Sequence, residues 1–126
     1  MPNERVSGVI KITGSPVSVN EMYLRGKGSR LYMSAKGRDW KERVAAEAFV
    51  QWKVEQKLPV IQTKCGLTVE VCFADKRRRD ISNILKAIED AMIGIVLKDD
   101  SLIDRIFVVR RYGCAKANVV LTIETL

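Results

Sequence analysis

The alternation of apolar and polar positions divides the chain into short strand-like runs and two long helical ones. Residues 8–13 (Gly-Val-Ile-Lys-Ile-Thr) alternate like a strand, and residues 14–20, from Gly14 to Asn20, read as loop. Residues 22–33 carry Gly26 and Gly28 between two short apolar pieces, which fits either a hairpin or an ordered loop. Ser34 is an N-cap residue type, and a long helix is predicted after it. Trp40, Val44, Ala48 and Trp52 recur every four residues with Ala45 and Phe49 beside them, one apolar stripe that ends by Pro59. Residues 67–73 (Leu-Thr-Val-Glu-Val-Cys-Phe) alternate again and are rich in strand formers. Ile81, Ile84, Leu85, Ile88, Ala91 and Met92 make a second helical face, with Gly94 as its stop. Residues 102–112 and 117–125 give two further strands, joined around Gly113. The pattern predicts an α/β chain of α+β type. A mixed sheet of about five strands would carry two main helices in a single two-layer domain spanning residues 1–126.

Composition narrows the chemistry. Of the 126 residues, 47% are hydrophobic, enough for a core, and 29% are charged. No run approaches the ~20 apolar residues of a membrane span, and the start MPNERVSGVI lacks a long apolar segment, so a cytoplasmic protein is expected. Cys65, Cys72 and Cys114 are odd in number and lack CxxC spacing, which predicts core thiols rather than a disulfide framework or a zinc site. Histidine is absent. That removes Ser-His-Asp and Cys-His catalysis and every His-ligated metal site. Any enzymatic chemistry must then use carboxylates, lysine, hydroxyls or a cofactor, and any metal must sit among oxygen ligands, which suits magnesium or manganese. The net charge of +7 attracts polyanions, nucleic acid first.

One segment concentrates charge where a strand passes into a helix: Asp75-Lys76-Arg77-Arg78-Arg79-Asp80. A solvated surface turn would explain such a run, but strand-to-helix junctions are also where α/β proteins place sites. On the following helix Asn83, Lys86 and Asp90 are spaced by three and four residues, so they share one face opposite the apolar stripe, with Asp80 one turn earlier. A Lys86–Asp90 ion pair worth ~0.3–0.5 kcal/mol accounts for those two residues, but not for the clustering of Asp80, Asn83 and the basic run. After the helix comes Asp99-Asp100-Ser101. A chain turning back there would bring Asp99 or Asp100 beside Asp80, and clustered carboxylates favour a cation between them. Phosphodiester cleavage asks for this mixture: a metal on carboxylates, a lysine for charge on the scissile phosphate or leaving oxygen, and arginines on flanking phosphates.

In that arrangement the chain resembles the RusA family of Holliday junction resolvases, small endodeoxyribonucleases of bacteria and phages. The residues that carry the likeness are Arg77-Arg-Arg-Asp80-Ile-Ser82-Asn83-Ile-Leu-Lys86-Ala-Ile-Glu-Asp90 and Asp99-Asp100-Ser101. Pro16-Val-Ser-Val-Asn20-Glu-Met-Tyr23 and Ser34-Ala-Lys-Gly37 before Trp40 extend it through the first half. The resemblance implies metal-dependent cutting of four-way junctions in DNA recombination and repair, with magnesium or manganese and a homodimer. It implies Asp80 and Asp100 as metal-binding catalytic acids and Lys86 as the functional lysine. Asp99 and Ser82 complete the metal candidates, with Asp75 and Asp90 as substitutes. Lys76, Arg77, Arg78, Arg79, Asn83, Asn20 and Tyr23 are the DNA-binding candidates. Ser82 departs from the family pattern, which has a further aspartate there, and a neutral hydroxyl is a weaker metal ligand. A branched-DNA binding protein with a weakened or lost metal site is therefore the alternative. A single-strand binder that stacks bases on Tyr23, Tyr32 or Trp40 is a third reading. For the dimer, the apolar C-terminal run Val119 to Ile123 is a candidate edge, though burial in the core explains it equally well.

Overall fold

Every second residue of the first strand, β1 (Ser7–Thr13), is buried, and the same two-residue rhythm governs β4 (Cys65–Phe73) and β6 (Asn118–Thr125). One face of each strand therefore looks into the core and the other stays half-open. The computed structural model describes residues 5–17, 19–26, 28, 31–77 and 79–126, with only the backbone of Val19, Asn20 and Arg25. Its main sheet runs β1-β6-β4-β5, with β5 spanning Ile103–Tyr112. β6 is antiparallel to both β1 and β4, and β4 is parallel to β5. A parallel pair needs a crossover, and here it holds the helix α3 (Ile81–Met92).

The α+β class and mixed sheet match the sequence reading, but the sheet has four strands rather than about five. The missing one is the hairpin of β2 (Tyr23–Arg25) and β3 (Leu31–Met33), a separate two-stranded ribbon. The stretch expected to be loop ends in a short helix, α1 (Val19–Met22). β6 lies between β1 and β4, so the C-terminal strand is not an edge: β5 and β1 are.

The long helix α2 (Ala35–Phe49) starts where the sequence placed it. Ser34 is its N-cap, and the Ser34 Oγ accepts a hydrogen bond from the Gly37 amide at 2.9 Å. The helix continues as a wider π-helical segment, Val50–Glu55. Trp40, Val44, Ala48 and Trp52 are buried as predicted, and the Trp52 indole donates to the Pro59 carbonyl at 2.9 Å. Phe49 is not part of that stripe and is exposed. It follows Ala48 by one residue, about 100° further round the helix. Gly37 sits on the backbone of Met22, where a Cβ would come within 2.7 Å of the Met22 carbonyl oxygen. That close approach seats α1 on α2.

The cysteines depart from expectation. Cys72, on the half-open face of β4, forms a disulfide with Cys114, their Cα atoms 6.2 Å apart. Cys65 alone is the buried free thiol. The pairing follows from the parallel register, which sets Cys72 opposite Arg111, three residues before Cys114. Spacing along the chain, 42 residues, gave no hint of it.

A single buried cluster joins the core faces of β1, β4 and β6 to the apolar faces of α2 and α3. Trp52 is its largest fully buried side chain. Trp52→Ala is expected to lower the unfolding free energy by about 3–5 kcal/mol, read from the urea midpoint. A loss below about 1 kcal/mol would show that this helix is not clamped to the core as described.

Candidate functional site

Five buried residues of α3, Ile84, Ala87, Ile88, Ala91 and Met92, fix it against the sheet. Its opposite face is thereby held outward. Asp80 caps its N-terminus: one carboxylate oxygen accepts from the Ser82 amide at 3.0 Å, the other from the Asn83 side-chain amide at 3.3 Å. The first bond satisfies a backbone amide that the helix start leaves without an intrahelical partner, and the second ties Asn83 to the cap. Ser82, where the family resemblance implies an acid, is exposed in the first turn.

Lys86 stands six positions on, about 9 Å of helix rise beyond Asp80. Its ammonium bridges two acids, donating to Asp100 at 2.8 Å and lying 3.3 Å from Asp90. These partners push the Lys86 pKa up, the Asp100 hydrogen bond foremost, so the side chain is charged throughout the usual pH range. In return the Lys86 hydrogen bond holds the Asp100 carboxyl below its ordinary value. Beside them the Glu89 carboxyl is raised, chiefly by burial, against a lowering by Lys86 and with Asp100 and Asp90 adding to the rise. The chain does turn back after α3, and the helical turn Asp100–Leu102 delivers Asp100 onto Lys86. Asp99 accepts from the Ser101 hydroxyl at 2.6 Å. Asp80 and Asp100 thus belong to neighbouring networks on one helix face rather than to a shared carboxylate cluster.

The basic junction divides its labour. Lys76 and Arg77 are exposed. Arg79 is largely covered: it lies over the Phe73 ring, 4.2 Å from its centroid, pairs with Asp75 at 3.0 Å and donates to the Arg77 carbonyl at 3.1 Å. The Arg79 hydrogen bond is the main cause that holds the Asp75 carboxyl below its ordinary value. Asp75 also accepts from the Arg77 amide at 2.9 Å, so its carboxylate is engaged in folding the junction. Arg110 from β5 ties in from the side, donating to the Arg79 carbonyl at 3.0 Å. Arg78 and the side chain of Asn20 lie outside the described residues. Tyr23 and Tyr32 are exposed on the β2–β3 ribbon, whereas Trp40 is buried, which removes it as a surface for stacking bases.

Asp80 borders two clefts. One, about 380 Å³, is lined by Glu21, Lys36, Arg77, Arg79, Asp80 and Asn83 among others. The second and wider, about 950 Å³, is lined by Lys76, Arg79, Asp80, Arg110 and Tyr112. Glu21 and Lys36, an ion pair at 2.6 Å, were not among the sequence candidates. Yet both fall inside the segments Asn20 to Tyr23 and Ser34 to Gly37 that carried the family likeness. Arg110 and Tyr112 had no such signal, because only the parallel β4–β5 pairing brings them to Asp80.

Every candidate metal donor is an oxygen. Among the described residues no three acidic or cysteine side chains converge into a ready metal cage. A magnesium-type ion needs only one or two carboxylates, completing its shell with waters and substrate phosphate oxygens, and Asp80 and Asp100, the latter bonded to Lys86, are the candidates for that role.

The family described as Endodeoxyribonuclease RusA matches residues 13–124. The chain is similar to the crossover junction endodeoxyribonuclease RusA of Aquifex aeolicus (strain VF5), 28% identical over 110 residues, covering 86% of this chain and 84% of the relative. It is similar also to the crossover junction endodeoxyribonuclease rusA of Enterobacteria phage HK97, 37% identical over 98 residues, covering 75% of this chain and 76% of the relative.

The Lys86–Asp100 contact makes a direct prediction. In a carboxyl-detected NMR titration Asp100 titrates below the usual aspartate range, and Lys86→Met moves it upward. An Asp100 titration unchanged by Lys86→Met would show that the pair does not form in solution.

Proposed function

This chain belongs to the RusA family of endodeoxyribonucleases, and we propose that it resolves four-way DNA junctions by metal-dependent hydrolysis of phosphodiester bonds. The observation that carries this reading is the single helix face on which Asp80, Asn83 and Lys86 stand in order, with Asp100 bonded to Lys86 and exposed cations next to Asp80. The names of both relatives, crossover junction endodeoxyribonucleases, support the substrate.

In this reading Lys76 and Arg77 hold phosphates flanking the scissile bond. Asn83 fixes the Asp80 carboxylate at the border of both clefts. Asp80 and Asp100 would hold a magnesium or manganese ion, which when bound would supply Lewis-acid polarisation of the phosphate and charge neutralisation. Lys86 keeps Asp100 ionised and offers its ammonium to the charge that develops on the phosphate or the leaving oxygen. Arg79, latched by Phe73 and Asp75, positions the junction rather than gripping DNA on its own. Two symmetric cuts suit a homodimer with a two-fold axis. Among the described residues no helix is long and apolar enough to cross a membrane, and a cytoplasmic enzyme acting on DNA is the setting we propose.

Ser82 and the sparse acid set favour a second reading, a junction-binding protein that does not cut. A four-way junction assay separates the two. The nuclease reading predicts cleavage in magnesium or manganese, none in EDTA, and a loss of roughly 10²–10⁴-fold in Asp80→Asn and Asp100→Asn with junction binding retained. Salt-sensitive binding without cleavage in any divalent metal would establish the binding protein instead.

A further inference from the structure

The sheet has two edges, and the chain treats them in opposite ways. Along β1, two glutamine side chains stand in for a neighbouring strand. Gln51 accepts from the Lys11 amide and donates to the Lys11 carbonyl, both at 2.7 Å. Gln56 does the same for Val9, at 3.1 and 2.7 Å. Each primary amide supplies one donor and one acceptor, as an adjacent strand residue would. The β1 edge is closed.

The other edge, β5, is left open. It is 10 residues long, and among the described residues nothing is bonded to the backbone groups that point away from β4. Its side chains are open on both faces of the sheet: Ile106 is 41% exposed, Phe107 58% and Val109 40%. An edge strand with unpaired backbone groups is a template for pairing; side-chain amides cap β1, whereas β5 carries only flanking charges, Asp104, Arg105, Arg110 and Arg111, around the apolar run Ile106 to Val109.

We propose that β5 pairs antiparallel with β5 of a second copy of this chain, in the register centred on Phe107, so that the two main sheets become one across a two-fold axis. The inference rests on the homodimer reading above and deepens it by naming the seam. The occupant is chosen by charge. With Phe107 opposite itself, Asp104 of each copy comes opposite Arg110 of the other, and Ile106 comes opposite Val108. Two opposite-charge pairs then flank an apolar centre. A slip that centres the pairing on Val108 instead sets Arg105 against Arg111, and a half-step slip offsets its Asp104–Arg111 pairs by setting Arg105 against Arg110. Of these registers only the one centred on Phe107 has opposite-charge pairs and no like-charge pair. Neither charged residue is buried away from the seam: Asp104 is held only by an exposed pair with Lys64 at 3.4 Å, and Arg110 is exposed beside the Arg79 carbonyl.

The seam also adjoins the candidate site. Arg110 and Tyr112 of β5 line the wider cleft at Asp80. Tyr112 lies five residues from the axis in each copy, so the two clefts would open about 33 Å apart along the strand direction.

Sedimentation equilibrium and cysteine cross-linking test this. The wild-type chain is expected to be a dimer. Phe107→Cys is expected to form a disulfide-linked dimer on mild oxidation, while Val9→Cys on the closed edge does not. Asp104→Arg, which sets two arginines against each other at both ends, is expected to weaken the dimer about tenfold, and Asp104→Arg with Arg110→Asp to restore it. A wild-type dimer that neither cross-links through Phe107→Cys nor responds to Asp104→Arg would overturn the β5 seam and leave the homodimer reading standing. A wild-type monomer at high micromolar concentration would overturn both, whatever the cleavage assay shows.

Discussion

The structure depends most on the docking of one face of α3. Ile84, Ala87, Ile88, Ala91 and Met92 join the buried cluster under the sheet, and that anchorage dictates which side of the helix meets solvent. Burying side chains of this size is worth about 1.5–3 kcal/mol for each of the larger ones. A rotation that exposed them to swing Lys86 away is therefore expensive. The polar residues at Asp80, Asn83, Lys86 and Asp90 are held in a row because the apolar ones are held in a core. Pre-organisation of this kind is what lets charged groups act without reorganising at the moment of reaction.

Around that helix, the site is assembled from elements far apart in sequence. The crossover that α3 makes between parallel β4 and β5 places the basic junction at its start, and Arg110 then closes against the Arg79 carbonyl. At the far end the chain returns through the turn at Asp100, and Lys86 takes up the incoming carboxylate. The same ammonium thus compensates two acids that would otherwise repel, and holds Asp100 ionised. Arg79 shows the opposite use of a cation. Covered, stacked on Phe73 and paired with Asp75, it is structural, although it belongs to the same basic run as the exposed Lys76 and Arg77.

Much of this was legible beforehand where a local rule operates. The four-residue recurrence of Trp40, Val44, Ala48 and Trp52 located α2, and Ser34 marked its start. The i, i+3, i+4 spacing of Asn83, Lys86 and Asp90 located the face of α3 that points away from the core. What escaped was set by long-range pairing. The Cys72–Cys114 bond, the arrival of Arg110 and Tyr112 at Asp80, and the central place of β6 all follow from the strand order β1-β6-β4-β5, which periodicity does not encode. The ribbon of β2 and β3 was visible as two short apolar pieces, but not that it stands apart from the main sheet.

The central proposal is that Asp80 and Asp100, which stand in neighbouring networks on α3 and the turn behind it, would share one metal ion. Amide NMR spectra with substoichiometric manganese test it most directly, because paramagnetic broadening marks residues near the ion without any need for cleavage. The account predicts that signals of Asp80, Ser82 and Asn83 and those of Asp99 to Ser101 broaden first and together, and that Asp80→Asn and Asp100→Asn each reduce the effect. Broadening confined to acids elsewhere, such as Asp39 or Glu42, or broadening at one of the two segments alone, would contradict it.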